Sequence, residues 1–506
     1  MALSLLWNAS PNLHAQSVGI VEIDLFEEET EEPQTCRVVI KDEKGRKLRA
    51  RGGQFESGWN LVESPLVFRG RPGHYTYRVY HGPEFAGGHG DFDLDKRSEG
   101  YDVLRLPKHA DMDAEGYAAG DLAGFLPSAK LLKWLPAERL VMAVEATTSV
   151  GANEAIELAK SPVARLKDKQ DSEAWIERHS YIDNRAGSGL ALHHWVPPAP
   201  VPDSLPSTRL IVMAKSSGEP NSESVDALEP HVEITRLWER DVPVWLASQN
   251  VDSIQVLGPH LTMDGTKFDR VRAALDPDPG RFTGERGPGR LVENLYWQVL
   301  EAGFRIPPSA GSGFGRKESP LGYNRVYVFS PSFGRPAWWQ GLKQGRSFVS
   351  NGPLLRVTVN GEVPGHTFHA QEGGEIELSV ALKLTVGDPV DYLDVIHNGE
   401  KLYEARLDEH AKRGGRIPPL KVTESGWMLV RVVTGRDHTY RLAFTAPYYF
   451  EVGEQPRISR KAVEFFQEWL AKSAQRLRAE NAVQHETYLR AAEEFWTSRL
   501  GAVTAD

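Results

Sequence analysis

Tyr75, Tyr77 and Val79 alternate with Thr76, Arg78 and Tyr80 along the run that starts at His74. A period of two marks a strand with one buried face, and Gly73 and the Gly82-Pro83 pair punctuate its ends. Cys36-Arg37-Val38-Val39-Ile40 predicts another strand, closed by the turn signal Asp42-Glu43-Lys44-Gly45. Val103, Leu104 and Leu106 suggest a closing one. Residues 17–112 are therefore expected to form a β-sandwich-like domain. The acidic run from Glu27 to Glu32 reads as a solvated loop or edge, because it lacks the Asp-rich spacing and turn glycine of a calcium loop.

Further along, the pattern changes to short apolar runs. Leu140-Val141-Met142-Ala143-Val144, Leu210-Ile211-Val212-Met213, the stretch from Val251 to Leu257 and Arg325-Val326-Tyr327-Val328-Phe329 suit strands buried on both faces. Helical stretches are expected between them, at 152–166 and 291–302. Such alternation predicts βα units and an α/β domain over 113–345, with functional groups at the C-terminal ends of its strands.

Alternation with period two returns over 346–450. Leu355, Val357 and Val359 alternate with Arg356, Thr358 and Asn360, and Asn360-Gly361 supplies a hairpin turn. Ile376, Leu378, Val380 and Leu382 alternate again, Asn398-Gly399 is a second turn, and 428–433 and 440–444 complete a second β-sandwich-like domain. The tail, 459–499, is helical: Val463, Phe466, Leu470, Ala474 and Leu477 follow the 3.6 period beside Trp469. Tyr488, Leu489, Ala492, Phe495 and Trp496 form a second stripe. Such stripes are expected to dock on the parent domain, with oligomerisation as the alternative.

Composition narrows the function classes. The 506 residues have room for about three domains. A net charge of −10 argues against nucleic acid as the main partner. No apolar stretch is long enough for a membrane-spanning helix. The single cysteine, Cys36, excludes internal disulfides and a thiolate metal cluster. Met1 to Trp7 is a short apolar run without a basic region before it, and His14-Ala15-Gln16 resembles the end of an export signal, but the apolar core is too short for a convincing one and a frayed N-terminus or truncated gene start is the favoured reading.

Several catalytic signatures are missing: no His-Glu-x-x-His, no G-x-S-x-G and no Walker loop occurs. Gly311-Ser312-Gly313-Phe314-Gly315 follows Pro307-Pro308 rather than an obvious strand, so it is not read as a dinucleotide fingerprint. His366 and His369 read as loop residues. His193-His194 would point to opposite faces of a strand. His231 and Glu233, two apart, would share a face and could supply half of a metal site. His260 ends an apolar run, and Asp121 and Glu145 are carboxylates near strand ends. The alternative for each histidine is a hydrogen-bonded structural side chain.

Gly303-Phe304-Arg305-Ile306-Pro307-Pro308-Ser309-Ala310-Gly311-Ser312, followed by Pro320-Leu321-Gly322-Tyr323-Asn324-Arg325-Val326-Tyr327-Val328, resembles the CehA/McbA-type metallohydrolases of the PHP (polymerase and histidinol phosphatase) superfamily. Gly345-Arg346-Ser347-Phe348-Val349-Ser350-Asn351-Gly352-Pro353 extends the likeness, as does Asp241-Val242-Pro243-Val244-Trp245. The resemblance implies a distorted (β/α)7 barrel for the middle segment, flanked by the two β domains. It also implies a metal cluster at the barrel top. Where the family carries Gly-Asp-Leu-His-x-His, this chain has Gly120-Asp121-Leu122-Ala123-Gly124-Phe125, and the family aspartate after Ala-Gly-Ser is Gly313. His231-Val232-Glu233 and His260 are retained. Without a firmly held cation, water keeps a pKa near 15.7 and hydroxide is scarce at pH 7.

Two functional expectations follow. One is a catalytically impaired binding or scaffolding protein with no cofactor, its partner a small molecule, glycan or protein. The other is a hydrolase of esters, carbamates or phosphoesters with one divalent metal (Zn, Mn or Fe) at His231, Glu233 and His260, with Asp121. His179, His193 and His194 are further imidazoles that could replace a lost ligand. The β–barrel–β plan and the signal-like start favour a periplasmic or secreted location over a cytoplasmic one.

Overall fold

The computed structural model describes residues 18–149, 151–167, 173–217, 228–266, 282–317, 319–330, 332, 334–412, 414–453, 455–480 and 482–506. The export-signal reading of Met1 to Gln16 lies outside them. The fold is mixed α/β and strand-rich, 39% strand against 23% helix. Two compact units divide the chain: Met1–Tyr80 with Gly87–Pro107, and His81–Ala86 with Lys108–Asp506.

The first unit has two sheets. Gly19–Glu27 pairs antiparallel with Leu66–Gly70 and parallel with Glu99–Leu106. Thr35–Asp42 lies between Trp59–Glu63 and Gly73–Tyr80 in the other sheet. Tyr75, Tyr77 and Val79 are buried, as the alternation requires, and so are Cys36, Val38 and Ile40. The acidic run leaves the first strand at Glu27 and continues as an exposed turn.

In the second unit, Tyr117–Gly124, Met142–Glu145 and Glu173–Glu177 run parallel in one sheet. Arg325–Phe329 flanks the first of them antiparallel. The same sheet continues through Ser347–Ser350, Leu442–Thr445 and Gly426–Thr434, so strands of the middle and C-terminal segments hydrogen-bond in one layer. A second sheet is ordered Ser180–Asp183, Leu190–His193, His231–Ile234, Ser253–Leu257 and Pro308–Ala310, the last three parallel. Isolated bridges Thr147–Tyr181 and Gly124–Phe314 link the two sheets.

Four local expectations change. Leu210-Ile211-Val212-Met213 belongs to the helix Ser207–Ser216, not to a strand. Pro206 precedes it, and Leu210, Ile211 and Ala214 form its buried face at helical spacing. The helix expected at 152–166 stops at Lys160, because Pro162 cannot continue it, and Val163–Lys167 is a strand. His369 lies in the strand Thr367–Ala370, not in a loop. The alternation from Ile376 to Leu382 is cut at Ser379: Ile376–Leu378 pairs with Leu420–Val422, whereas Val380–Thr385 pairs with Leu354–Val359.

The tail helices Arg460–Ala479 and Glu486–Gly501 pack on each other and on Val242–Ala247. Trp496 is fully buried, stacks 5.0 Å from Phe466 and donates its indole N–H to the Pro243 carbonyl at 3.0 Å. Among the described residues, no helix is long and apolar enough to cross a membrane.

Candidate functional site

Register sets the site. His193 stands opposite Ser180 on one side and His231 on the other. Glu233 pairs with Ser253, and Gln255 with Ser309. Because alternate residues share a strand face, the sheet gathers His193, His231 and Glu233, all buried. His193 Nε2 lies 3.3 Å from Glu233 Oε2, and its Nδ1 lies 3.3 Å from Ser180 Oγ. Ser309 Oγ donates to Glu233 Oε1, and Gln255 Nε2 donates to Oε2 at 3.4 Å. His231 Nε2 lies 2.8 Å from Ser253 Oγ.

Trp339, on the helix Arg335–Lys343, seals this cluster. Its ring centroid lies 5.2 Å from that of His193, 4.5 Å from His194 and 5.0 Å from His231. The indole N–H donates to Glu177 Oε1 at 2.9 Å. Glu177 also accepts the Trp175 indole and two N–H groups of Arg335, at 2.7 and 2.9 Å. Burial pushes the Glu177 carboxyl up, but His194, the Arg335 fork and Trp339 together outweigh it and hold it below the usual range. Burial also keeps the imidazoles neutral: His179 and His194 are pushed down to about 4, and His231 falls well below its ordinary value.

The other sequence candidates have contacts of their own. Asp121 accepts three backbone N–H groups, from Ala123 at 3.0 Å, Ser312 at 2.9 Å and Gly322 at 2.7 Å. It thereby braces the loop that carries the glycine-rich segment. Burial pushes its carboxyl up. His260 is buried edge-to-face with Trp238 at 5.1 Å, and burial takes it down to about 3. Glu145 accepts the Ser128 amide at 3.0 Å.

A catalytic cation needs convergent donors with lone pairs turned toward one point. Here both Glu233 oxygens, His231 Nε2 and both Asp121 oxygens are turned to protein donors and hydroxyls. Among the described residues, no group of three or more His, Cys, Asp or Glu is placed to hold a metal ion. The set His231, Glu233, His260 and Asp121 does not fit one shared metal.

Ala123 and Gly311 are in close approach. A Cβ added at Gly311 would lie 2.6 Å from Ala123 Cβ and 2.7 Å from Gln255 Nε2. Ala123 is itself buried, with its methyl group turned toward Gly311. Phe125 carries the Arg316 guanidinium 4.2 Å over its ring. Gly313, with φ +73°, takes a conformation that favours glycine and gives its amide to the Ala123 carbonyl at 2.8 Å.

Sequence reasoning found His231 and Glu233 on one face and flagged His193. It missed Glu177, Arg335, Trp339, Ser253, Gln255 and Ser309. One available signal was Arg335-Pro336-Ala337-Trp338-Trp339, a cation and an indole pair one helical turn apart.

No family model matches the chain, and no curated protein matches it. Likenesses among solved structures are faint. The Bacillus anthracis TIE protein is 14% identical over 21% of this chain and 19% of its own, with a TM-score of 0.15. Parabacteroides merdae beta-glucuronidase is 9% identical over 84% of this chain and 61% of its own, with a TM-score of 0.18. The N-terminal four Ig domains of Dscam1 isoform 7.44 are 10% identical over 85% of this chain and 96% of theirs, with a TM-score of 0.13. The chain thus spans less than two thirds of the first two, and overlaps this faint carry no weight for fold or site.

Proposed function

We propose that the chain is a diverged homologue of the PHP-type metallohydrolases whose former site is packed shut, and that it serves as a binding or scaffolding protein. The observation that carries this reading is the Ala123–Gly311–Gln255 contact: the first-strand ligand position holds a buried methyl group packed against a glycine that itself has no room for a Cβ. The saturation of Glu233 by Ser309, Gln255 and His193 supports it. A carboxylate that accepts from a hydroxyl and an amide inside a sealed sheet face is a structural acceptor. The alternative, a hydrolase with one divalent metal, draws on a single favourable feature: His193, His231 and Glu233 share a face, with His231 held neutral.

Metal content by elemental mass spectrometry separates the two. The chain is purified without chelator or affinity metal, then measured before and after soaking in zinc and manganese. The expected result is well below one metal per chain in both samples, unchanged by His260→Ala. About one tightly held metal per chain, lost in His260→Ala together with ester or phosphoester turnover, replaces the scaffold by the hydrolase.

A further inference from the structure

In the first unit, the strand Glu99–Leu106 stands at the edge of its sheet. It pairs with Gly19–Glu27 on one side, and among the described residues no strand pairs with the other. Ile20 donates its amide to the Ser98 carbonyl at 2.9 Å, and Glu28 donates to that of Leu106 at 3.1 Å. In a parallel ladder every second residue of a strand bonds a given neighbour. Gly100, Asp102 and Leu104 therefore serve Gly19–Glu27, and the backbone groups of Glu99, Tyr101, Val103 and Arg105 face the open side. The Asp102 side chain covers one of them by accepting the Val103 amide at 2.8 Å. The residues from Glu99 to Asp102 are exposed, so the edge is accessible to a further strand.

Beside this edge lies Tyr101. Its ring is 67% exposed, more than any other aromatic ring among the described residues. Its hydroxyl donates to Asp24 Oδ2 at 2.7 Å on the neighbouring strand, which anchors the ring across the sheet surface. A bare aromatic face in such a position attracts a cation.

Charge selects the occupant. The two paired strands carry five carboxylates, Glu22, Asp24, Glu27, Glu99 and Asp102, and one cation, Arg105. Arg105 is already paired with Glu31 at 2.8 Å. The acidic run that begins at Glu27 continues at the end of the open edge, where Glu28 meets Leu106. Lys96 and Arg97 precede the strand with Asp95 beside them, and the excess stays negative. A second copy of the chain would bring the same excess and be repelled. An extended segment with lysine or arginine at alternate positions meets both needs. Its backbone continues the ladder, and its side chains on one face reach Tyr101 and Glu99.

We propose that the open edge of Glu99–Leu106 takes up a basic, extended peptide segment of a partner protein as an added strand, with a lysine or arginine seated on Tyr101. This surface belongs to the first unit, whereas the buried histidine cluster belongs to the second, so the proposal does not depend on how that cluster is read.

Fluorescence anisotropy on the full chain tests it. The probes are end-labelled octapeptides: alternating Lys-Val, alternating Lys-Pro of equal charge but unable to continue a ladder, and alternating Glu-Val. Lys-Val is expected to bind about tenfold tighter than Lys-Pro, and Glu-Val not at all. Binding of Lys-Val should weaken about threefold in Tyr101→Ala. Val103→Pro keeps every charge and Tyr101 but sets a ring on the open edge, and should bring Lys-Val down to the Lys-Pro level. Tyr101 is exposed enough for its variant to keep the fold, so it carries the test if Val103→Pro does not fold. No binding of Lys-Val overturns the proposal. So does equal binding of Lys-Pro, which would show charge attraction alone, or binding unchanged in Tyr101→Ala. A dimer of the chain that Val103→Pro abolishes would give the edge to a second copy and overturn it too.

Discussion

Glu177 and Asp121 are fully buried carboxylates on strands of the same sheet, one strand apart, yet the protein treats them oppositely. Glu177 meets a guanidinium fork and two indole N–H groups and is held below the usual carboxylate range. Asp121 meets backbone amides and the Ser312 side chain, and is pushed up by burial. Dipoles satisfy the hydrogen-bonding capacity of a carboxylate, but a formal countercharge is what offsets the loss of water around it. The first arrangement pins a helix, Arg335–Lys343, to the parallel strands; the second pins a loop. Neither leaves its oxygens for chemistry.

The sharpest way to break the comparison is to remove the countercharge. Arg335→Ala leaves Glu177 buried without its cation, and the cost is expected at about 3–5 kcal/mol. Urea unfolding measures it. The double variant Arg335→Met with Glu177→Gln should recover much of the loss, because no lone charge remains. A loss under about 1 kcal/mol in Arg335→Ala would show that the fork does not hold Glu177.

Overpacking at the first-strand position comes next. Ala123→His puts an imidazole at a buried position whose methyl group packs toward Gly311, and an expected destabilisation of about 1–3 kcal/mol follows from forcing volume into a packed core. The thermal midpoint should drop with no gain in zinc retention. A variant of unchanged stability that retains zinc would reopen the site and end the packed-shut reading.

Mild acid tests the histidines that feel the Glu177 charge. His179 and His194 sit at about 4 in the folded chain because burial disfavours their charged form, and unfolded histidine titrates near 6.5. Between those values the unfolded chain takes up protons that the folded chain refuses, so stability falls as pH drops from about 6.5 to about 4. Each such histidine contributes a loss of about 2 kcal/mol by pH 5. The carboxylates act with their own signs: the Glu177 contribution is lost as pH falls through its lowered value, and the raised Asp121 contribution fades as pH rises. The urea midpoint should therefore be lower at pH 5 than at pH 7, and the difference should shrink in His194→Gln. A midpoint unchanged between the two pH values would contradict it.

How much of this was legible in the sequence follows from the range of each interaction. The strands at Tyr75 to Val79 and Leu355 to Val359 were readable because their alternation is local, although the second is buried on both faces. So were the turns at Asn360-Gly361 and Asn398-Gly399, where both asparagines and glycines take positive φ. Leu210 to Met213 misled because a short apolar run fits a buried strand and a buried helix equally well. Within the site, the His231–Glu233 pairing was visible from a spacing of two. Glu177 and Arg335 are 158 residues apart, and Glu233 and Ser309 are 76 apart. No periodicity encodes which long-range partner a buried carboxylate finds, so the partners that decide between ligand and structural acceptor appear only with the fold.

The smallest effect discriminates most finely. Trp339 touches both halves of the polar core: its ring covers His193 and His231 beside Glu233, while its N–H serves Glu177. Trp339→Phe keeps an aromatic ring over the imidazoles and deletes the donor, for a hydrogen-bond loss of about 1 kcal/mol. Lost ring volume adds to that, so the single variant cannot apportion the cost. A double-mutant cycle can. Paired with Glu177→Gln, Trp339→Phe should show coupling, because removing the charge weakens the bond that the indole makes. Paired with Glu233→Gln, it should be additive, because the ring makes no hydrogen bond to that carboxylate. Coupling to Glu233 instead of Glu177 would place the indole donor on the histidine side, and the division between a charge-paired anchor and a hydroxyl-sealed sheet face would have to be redrawn.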